Sequence, residues 1–211
     1  MPHGSLSLPA RLCLLAGATA PPHRLVRAGA LAELARRGLL VDDDGIATPV
    51  DLDSRTGDPV LDGLLDLVRE SLPHDWRTWV RLRARITYDA VREQLVAERC
   101  LRAEKRRVLG VFPSVSYALA SPALVDALRE RTRHVLRGPV PVAAVPVQDA
   151  AVAVLAAAAR VRGVGRPADG ARGAALAARG AGAPGVPWIM RELCAAVGAA
   201  PAGAPAVTAP R

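Results

Sequence analysis

The chain has few of the residues on which specialised scaffolds depend. Its 211 residues include three cysteines, Cys13, Cys100 and Cys194, far apart and without a CxxC pair. That excludes a disulfide framework and a thiolate zinc site, and it fits a reducing compartment. Four histidines, His3, His23, His74 and His134, lack HExxH or other ligand spacing, so no metal site is expected. No apolar run reaches the roughly 18 residues a membrane span needs. Residues 12–20, LCLLAGATA, resemble a short signal-peptide core, but only Leu12, Cys13, Leu14 and Leu15 are strongly apolar. A buried first helix in a soluble cytosolic protein is the preferred reading.

Catalytic signatures are missing as well. There is no GxxxxGK[ST] phosphate loop, no GxGxxG after a strand and no GxSxG elbow. The run Asp42-Asp43-Asp44-Gly45 resembles a calcium loop, yet Leu40 stands at the first ligand position and Asp51 replaces the closing glutamate, so it reads as a solvated turn. Asp62 and Asp66 share a helical face with no base, metal or nucleophile beside them, and read as the wet side of a helix. No reaction and no cofactor are expected. Lysine is nearly absent too: Lys105 is the only one, so the net charge of +8 is carried by arginine. An anionic partner, membrane or nucleic acid, is one explanation; a GC-rich coding bias in a chain rich in Ala, Gly and Pro is an equal one.

What is present is organised around residues 25–45, LVRAGALAELARRGLLVDDDG. Ala28, Leu31, Leu34 and Ala35 make one apolar helical face, with Arg27, Glu33, Arg36 and Arg37 largely off it. Gly38 stands where a left-handed helix stop belongs, and an apolar run then leads into the acidic turn. Residues 94–101 overlay residues 33–40 with leucines matching at Leu34/Leu95 and Leu40/Leu101, a two-position echo that serves only to place elements.

Along the chain, residues 6–16 predict a first helix with Ser5 or Ser7 as cap, and Asp58-Pro59 opens a helix buried through Leu61, Leu64, Leu65 and Val68. Asp75 caps a helix carrying Trp76 and Trp79, which belong in a core poor in other aromatics. A break is expected at Ile86-Thr87, followed by a helix with Tyr88, Val91 and Leu95 inward. Residues 101–117 read as a β-hairpin with Gly110 and Pro113 as punctuation, Ser121-Pro122 opens another helix, and residues 148–160 form an alanine-rich one. Residues 161–187 collapse into Gly, Ala, Arg and Pro and are expected to be mobile or loosely helical. Residues 188–198 read as a closing helix and 199–211 as a disordered tail. The fold class is therefore mainly α: a single compact helical domain over residues 1–160 with a β-hairpin and a short acidic turn after the central helix.

Three blocks in this order resemble the Golgi phosphoprotein 3 (GPP34) family in its shorter, bacterial-like form: Leu31-Ala32-Glu33-Leu34 with Arg37-Gly38; Thr56-Gly57-Asp58 through Leu61-Asp62; and Gln94-Leu95-Val96 through Leu101, then Glu104-Lys105 into the apolar hairpin ending at Phe112. The similarity covers residues 6–160. It implies a peripheral membrane protein that binds phosphatidylinositol 4-phosphate or a similar anionic headgroup on the cytosolic face and can grip the tails of membrane proteins. Such binding uses guanidinium forks and an apolar projection. The family's headgroup arginine falls on Arg27, and of its later arginine pair the first falls on Arg85 and the second on Tyr88. Arg81 and Arg92 would share a stripe with residues 85 and 88 on an unbroken helix. Lys105, Arg106 and Arg107 with Leu109, Val111 and Phe112 form the hairpin expected to touch membrane or a second subunit. The family's tryptophan before Arg27 is missing, and Arg99 replaces its glycine cap.

The competing readings are a winged-helix-like nucleic-acid binder, with residues 88–99 as recognition helix, and a protein-interaction module that dimerises through the hairpin. The glutamates Glu93 and Glu98 on that helix would repel phosphate.

Overall fold

Leucine and alanine spacing builds the first two helices. α1 (Leu8–Ala16) starts behind Ser7 with Pro9 in its first turn, and α2 (Pro22–Arg36) lies against it. They meet at Gly29, where a Cβ would stand 2.5 Å from Leu12 Cδ1 and 3.4 Å from the Pro9 backbone. The structure, a computed structural model, describes residues 6–17, 22–108, 112–182 and 186–198; the side chains of 105–108 and 112–114 are outside that description. Ser5, the connector residues 18–21 and the tail from residue 199 on therefore lie outside the described residues.

Every residue of α2 from Leu25 to Ala35 is buried, including Arg27 at 0% and Glu33 at 1% exposure. This corrects the expected amphipathic helix with Arg27 and Glu33 off its apolar face. α2 is hemmed in by α1, by α4 (Trp76–Arg81) and α5 (Ala84–Ala97), and by α7 (Val147–Ala158) and α9 (Val186–Gly198), so it has no wet side. Its small residues let those neighbours come close. Arg36 and Arg37 fold back onto Glu33 Oε1 at 2.7 and 2.9 Å and compensate its buried charge.

α2 stops at Gly38, φ 71°, with Gly38 N–H donating to Ala35 O and Leu39 N–H to Leu34 O. β1 (Leu40–Asp43) and β2 (Ile46–Pro49) then pair antiparallel around Asp44-Gly45, both at positive φ, as a two-residue hairpin turn requires. Asp42 accepts the Trp76 indole N–H at 2.7 Å, which ties the acidic turn to the helices.

α3 (Pro59–Glu70) opens as expected, with Asp58 accepting from the N–H groups of Val60 and Leu61. Asp62 reaches back to accept from Thr56 N–H and Oγ1 at 2.6 and 2.8 Å, while Asp66 pairs with Arg55 and Arg69. These carboxylates clamp the preceding loop, a more specific role than the wet face predicted.

α4 buries Trp76 and Trp79, the second with His74 edge-on at 5.4 Å between ring centroids. The expected break at Ile86-Thr87 falls four residues earlier, because Leu82 N–H closes α4 on Thr78 O and Arg83 then turns left-handed at φ 49°. Thr87 is buried inside α5. α5 ends on the same cap as α2: Arg99 N–H donates to Val96 O and Cys100 N–H to Leu95 O, with Arg99 at φ 60° where Gly38 stands in the first copy.

β3 (Leu101–Val108) and β4 (Phe112–Leu119) pair antiparallel, Leu101 opposite Leu119 and Val108 opposite Phe112. A small apolar cluster under the hairpin base joins Cys13, Leu14, Val91, Leu95 and Leu101, separate from the main core around α2. α6 (Pro122–Arg137) follows, and Asp149 at the start of α7 is buried between Arg11 and Arg131 at 2.9 and 2.6 Å.

α8 (Gly170–Ala181) lies in the stretch expected to be mobile or loosely helical. Its Leu176 is fully buried, Asp169 caps it, and Arg172 donates to the carbonyls of Val135, Leu136 and Val140. α9 closes the domain at the place predicted. Among the described residues there are thus nine α-helices and two antiparallel strand pairs, the mainly helical domain with hairpin that the sequence predicts.

At Gly180 a Cβ would stand 2.7 Å from Ala151 N and 2.8 Å from its Cα, backbone atoms that cannot yield. Gly180→Ala is therefore expected to lower stability by about 1–3 kcal/mol, read as a lower urea midpoint at unchanged slope; an equal or higher midpoint would show that α8 is not pressed against α7.

Candidate anion-binding site

Helical spacing puts His23 and Arg24 one turn before Arg27 on α2, so the three share a face. α2 brings that face against α5. Arg27 Nη2 donates to the carbonyl of Arg83 at 2.7 Å, the residue that enters α5 in left-handed backbone. The remaining Nε and Nη1 of Arg27 are buried and have no partner among the described residues. Burial pulls the Arg27 guanidinium down from its ordinary value to about 10, still a cation at neutral pH. Each unpartnered buried donor costs about 1–3 kcal/mol, so Arg27 is held at the expense of stability.

Arg85, two residues past Arg83, is exposed. Its charge reaches His23: burial, then Arg24 and Arg85, lower the His23 pKa, while Asp89 acts in the opposite sense. Two helices begin here, and neither α2 nor α5 carries an acidic residue in its first turn. Their positive dipole ends add to the guanidinium charge.

The other predicted residues fall elsewhere. Arg81 ends α4 on the far side of the Arg83 junction, and the charge it acts on is Asp75, so residues 81, 85, 88 and 92 do not form one helical stripe. Arg92 lies on α5 but is ion-paired with Asp89 at 2.9 Å and sits over the rings of Tyr88 and Tyr117, 4.7 and 4.0 Å from their centroids. Tyr88, the departure from the family pattern, therefore covers Arg92. Lys105, Arg106 and Arg107 belong to β3, opposite Val115, Ser114 and Pro113, and Phe112 opens β4. Their side chains, and Leu109 and Val111 altogether, lie outside the described residues. His23, Arg24 and the Arg83 carbonyl are the members of the cluster that the sequence reading missed. Spacing from Arg27 could have found the first two, whereas the carbonyl depends on the junction.

The arrangement is that of a helical domain with a guanidinium-rich group where two helices begin, beside a β-hairpin. The sequence model of Golgi phosphoprotein 3 (GPP34) matches residues 8–197, nearly the whole chain, and the chain belongs to that family. The match runs through α8 and α9, beyond the residues 6–160 over which the resemblance is legible by eye. No curated protein is matched by the sequence. Among the described residues no helix is long and apolar enough to cross a membrane, and no group of His, Cys, Asp or Glu is placed to hold a metal ion.

Arg27→Met keeps the side-chain volume and removes a buried charge that has no carboxylate partner. It is expected to leave stability unchanged or raise it by about 1 kcal/mol or more, measured by urea unfolding; a loss of several kcal/mol would mean that the Arg83 bond holds the junction together.

Proposed function

We propose that the protein binds membrane surfaces peripherally, taking an anionic lipid headgroup of the phosphatidylinositol 4-phosphate type on Arg27, Arg24 and Arg85, and that it catalyses no reaction. The observation that carries this reading is the buried Arg27 guanidinium with two donors unused. A headgroup phosphate replaces the neutral Arg83 carbonyl with a charged acceptor that two parallel N–H groups can grip. The family's headgroup arginine falling on Arg27 supports it. The hairpin, residues 101–119, is the element we assign to the membrane or to a second copy, and cytosolic tails of membrane proteins are proposed as further partners. Nucleic-acid reading is less favoured, since Arg92 is engaged by Asp89 and Gln94 faces Asp58 at 3.5 Å, leaving Glu93 and Glu98 exposed on that helix.

Liposome co-sedimentation at matched surface charge tests this. The native chain is expected to prefer phosphatidylinositol 4-phosphate over phosphatidylserine, and Arg27→Met with Arg85→Ala to lose about tenfold or more of that affinity. Equal binding to both lipids would leave only charge-driven adhesion, and no binding to either would sink the proposal.

Proton linkage supplies a second check. A phosphate beside His23 raises the imidazole pKa, so binding takes up a proton and tightens as pH falls. Binding at pH 6 is expected to exceed that at pH 8, and His23→Gln to flatten the difference; the same pH profile in that variant would place His23 outside the site.

A further inference from the structure

The base of the hairpin leaves a cleft of about 370 Å³ against α1 and α5, within the roughly 300–1,000 Å³ typical of small-ligand pockets. Leu14, Leu101, Val115 and Leu119 make its apolar lining, and Arg92 is the only charged residue in the lining among the described residues. Val115 and Leu119 are 48% and 40% exposed, large apolar side chains left in water. The Arg92 guanidinium is restricted in what it can accept. The rings of Tyr88 and Tyr117 lie against it, one amino group is taken by Asp89, and Nε is buried with no partner among the described residues. Asp89 already balances most of the guanidinium charge, so the amino groups that remain suit an acceptor of unit charge better than a phosphate dianion. Cys13, also in the lining, has its thiol pushed up to about 12 by burial, so it stays neutral and does not compete for the guanidinium.

We propose that this cleft binds a long-chain fatty carboxylate, its alkyl chain along Leu14, Leu101, Val115 and Leu119 and its carboxylate on Arg92. The site is separate from the headgroup cluster, whose members Arg24, Arg27 and Arg85 do not line it.

Calorimetric titration of the full chain with decanoate and dodecanoate, below micelle-forming concentrations, tests the proposal. One saturable site is expected, with affinity rising about threefold to fourfold per added methylene. 1-Decanol is expected to bind about tenfold more weakly than decanoate. Arg92→Met, which keeps the stem between the rings, should bring decanoate down to the level of decanol. Val115→Asp, at an exposed strand position, should weaken decanoate more than decanol and guards against misfolding of the first variant. Arg24→Ala with Arg85→Ala should leave decanoate binding intact, which separates this site from the headgroup reading. Absence of saturable binding, equal affinity for acid and alcohol, or undiminished binding by both cleft variants overturns the proposal.

Discussion

The constraint on which the structure depends is the enclosure of α2. A helix with neighbours on all sides must dispose of every polar group it carries, and α2 carries Arg27 and Glu33 at positions with no solvent. Glu33 is answered locally, by arginines three and four residues on. Arg27 has only one carbonyl, at a backbone turn in another helix pair. The first arrangement balances the charge within one helix, with both arginines on Oε1, though Glu33 Oε2 is buried without a partner among the described residues. The second leaves donors buried and unused, which a fold does not accumulate without some compensation.

Arginine does different work elsewhere in the chain. Arg69 donates to the carbonyls of Asp51 and Ser54, Arg137 to that of Arg166, Arg172 to three around the end of α6, and Arg179 to that of Val145. A planar guanidinium has enough donors in a fixed fork to bridge several carbonyls at once, which an ammonium on a flexible stem does less well. Four of the arginines that make up the positive charge are therefore fastened to loop and helix-end backbone, and the net charge by itself says little about a partner.

Signals carried by neighbouring residues were legible in the sequence. Asp58-Pro59, Asp75 and Ser121-Pro122 start helices where predicted, Gly38 caps α2, and the two tryptophans of α4 are core. What could not be read depends on how many elements surround a given one. Periodicity reports the preferred side of a helix but not whether the opposite side is also covered, so the burial of Arg27 escaped it. α8 escaped for a related reason: besides a single buried leucine, Leu176, it is held by Gly180 meeting the Ala151 backbone and by Arg172 reaching residues more than thirty positions away, neither of which periodicity can count. The left-handed turn at Arg83 was masked because arginine gives no signal for positive φ. Of the candidate site, Arg27 and Arg85 came from the family resemblance, and the placement of His23 and Arg24 with them came from the fold.

The Arg83 junction joins two otherwise unrelated parts of the molecule. Its carbonyl holds Arg27, and its position just after α4 sets it beside the helix that buries Trp76 and Trp79. Under the proposed binding, an anion that draws the Arg27 guanidinium away would free that carbonyl just past the helix that carries two of the chain's three indoles. The emission of those two indoles would then follow the state of the junction without an attached dye.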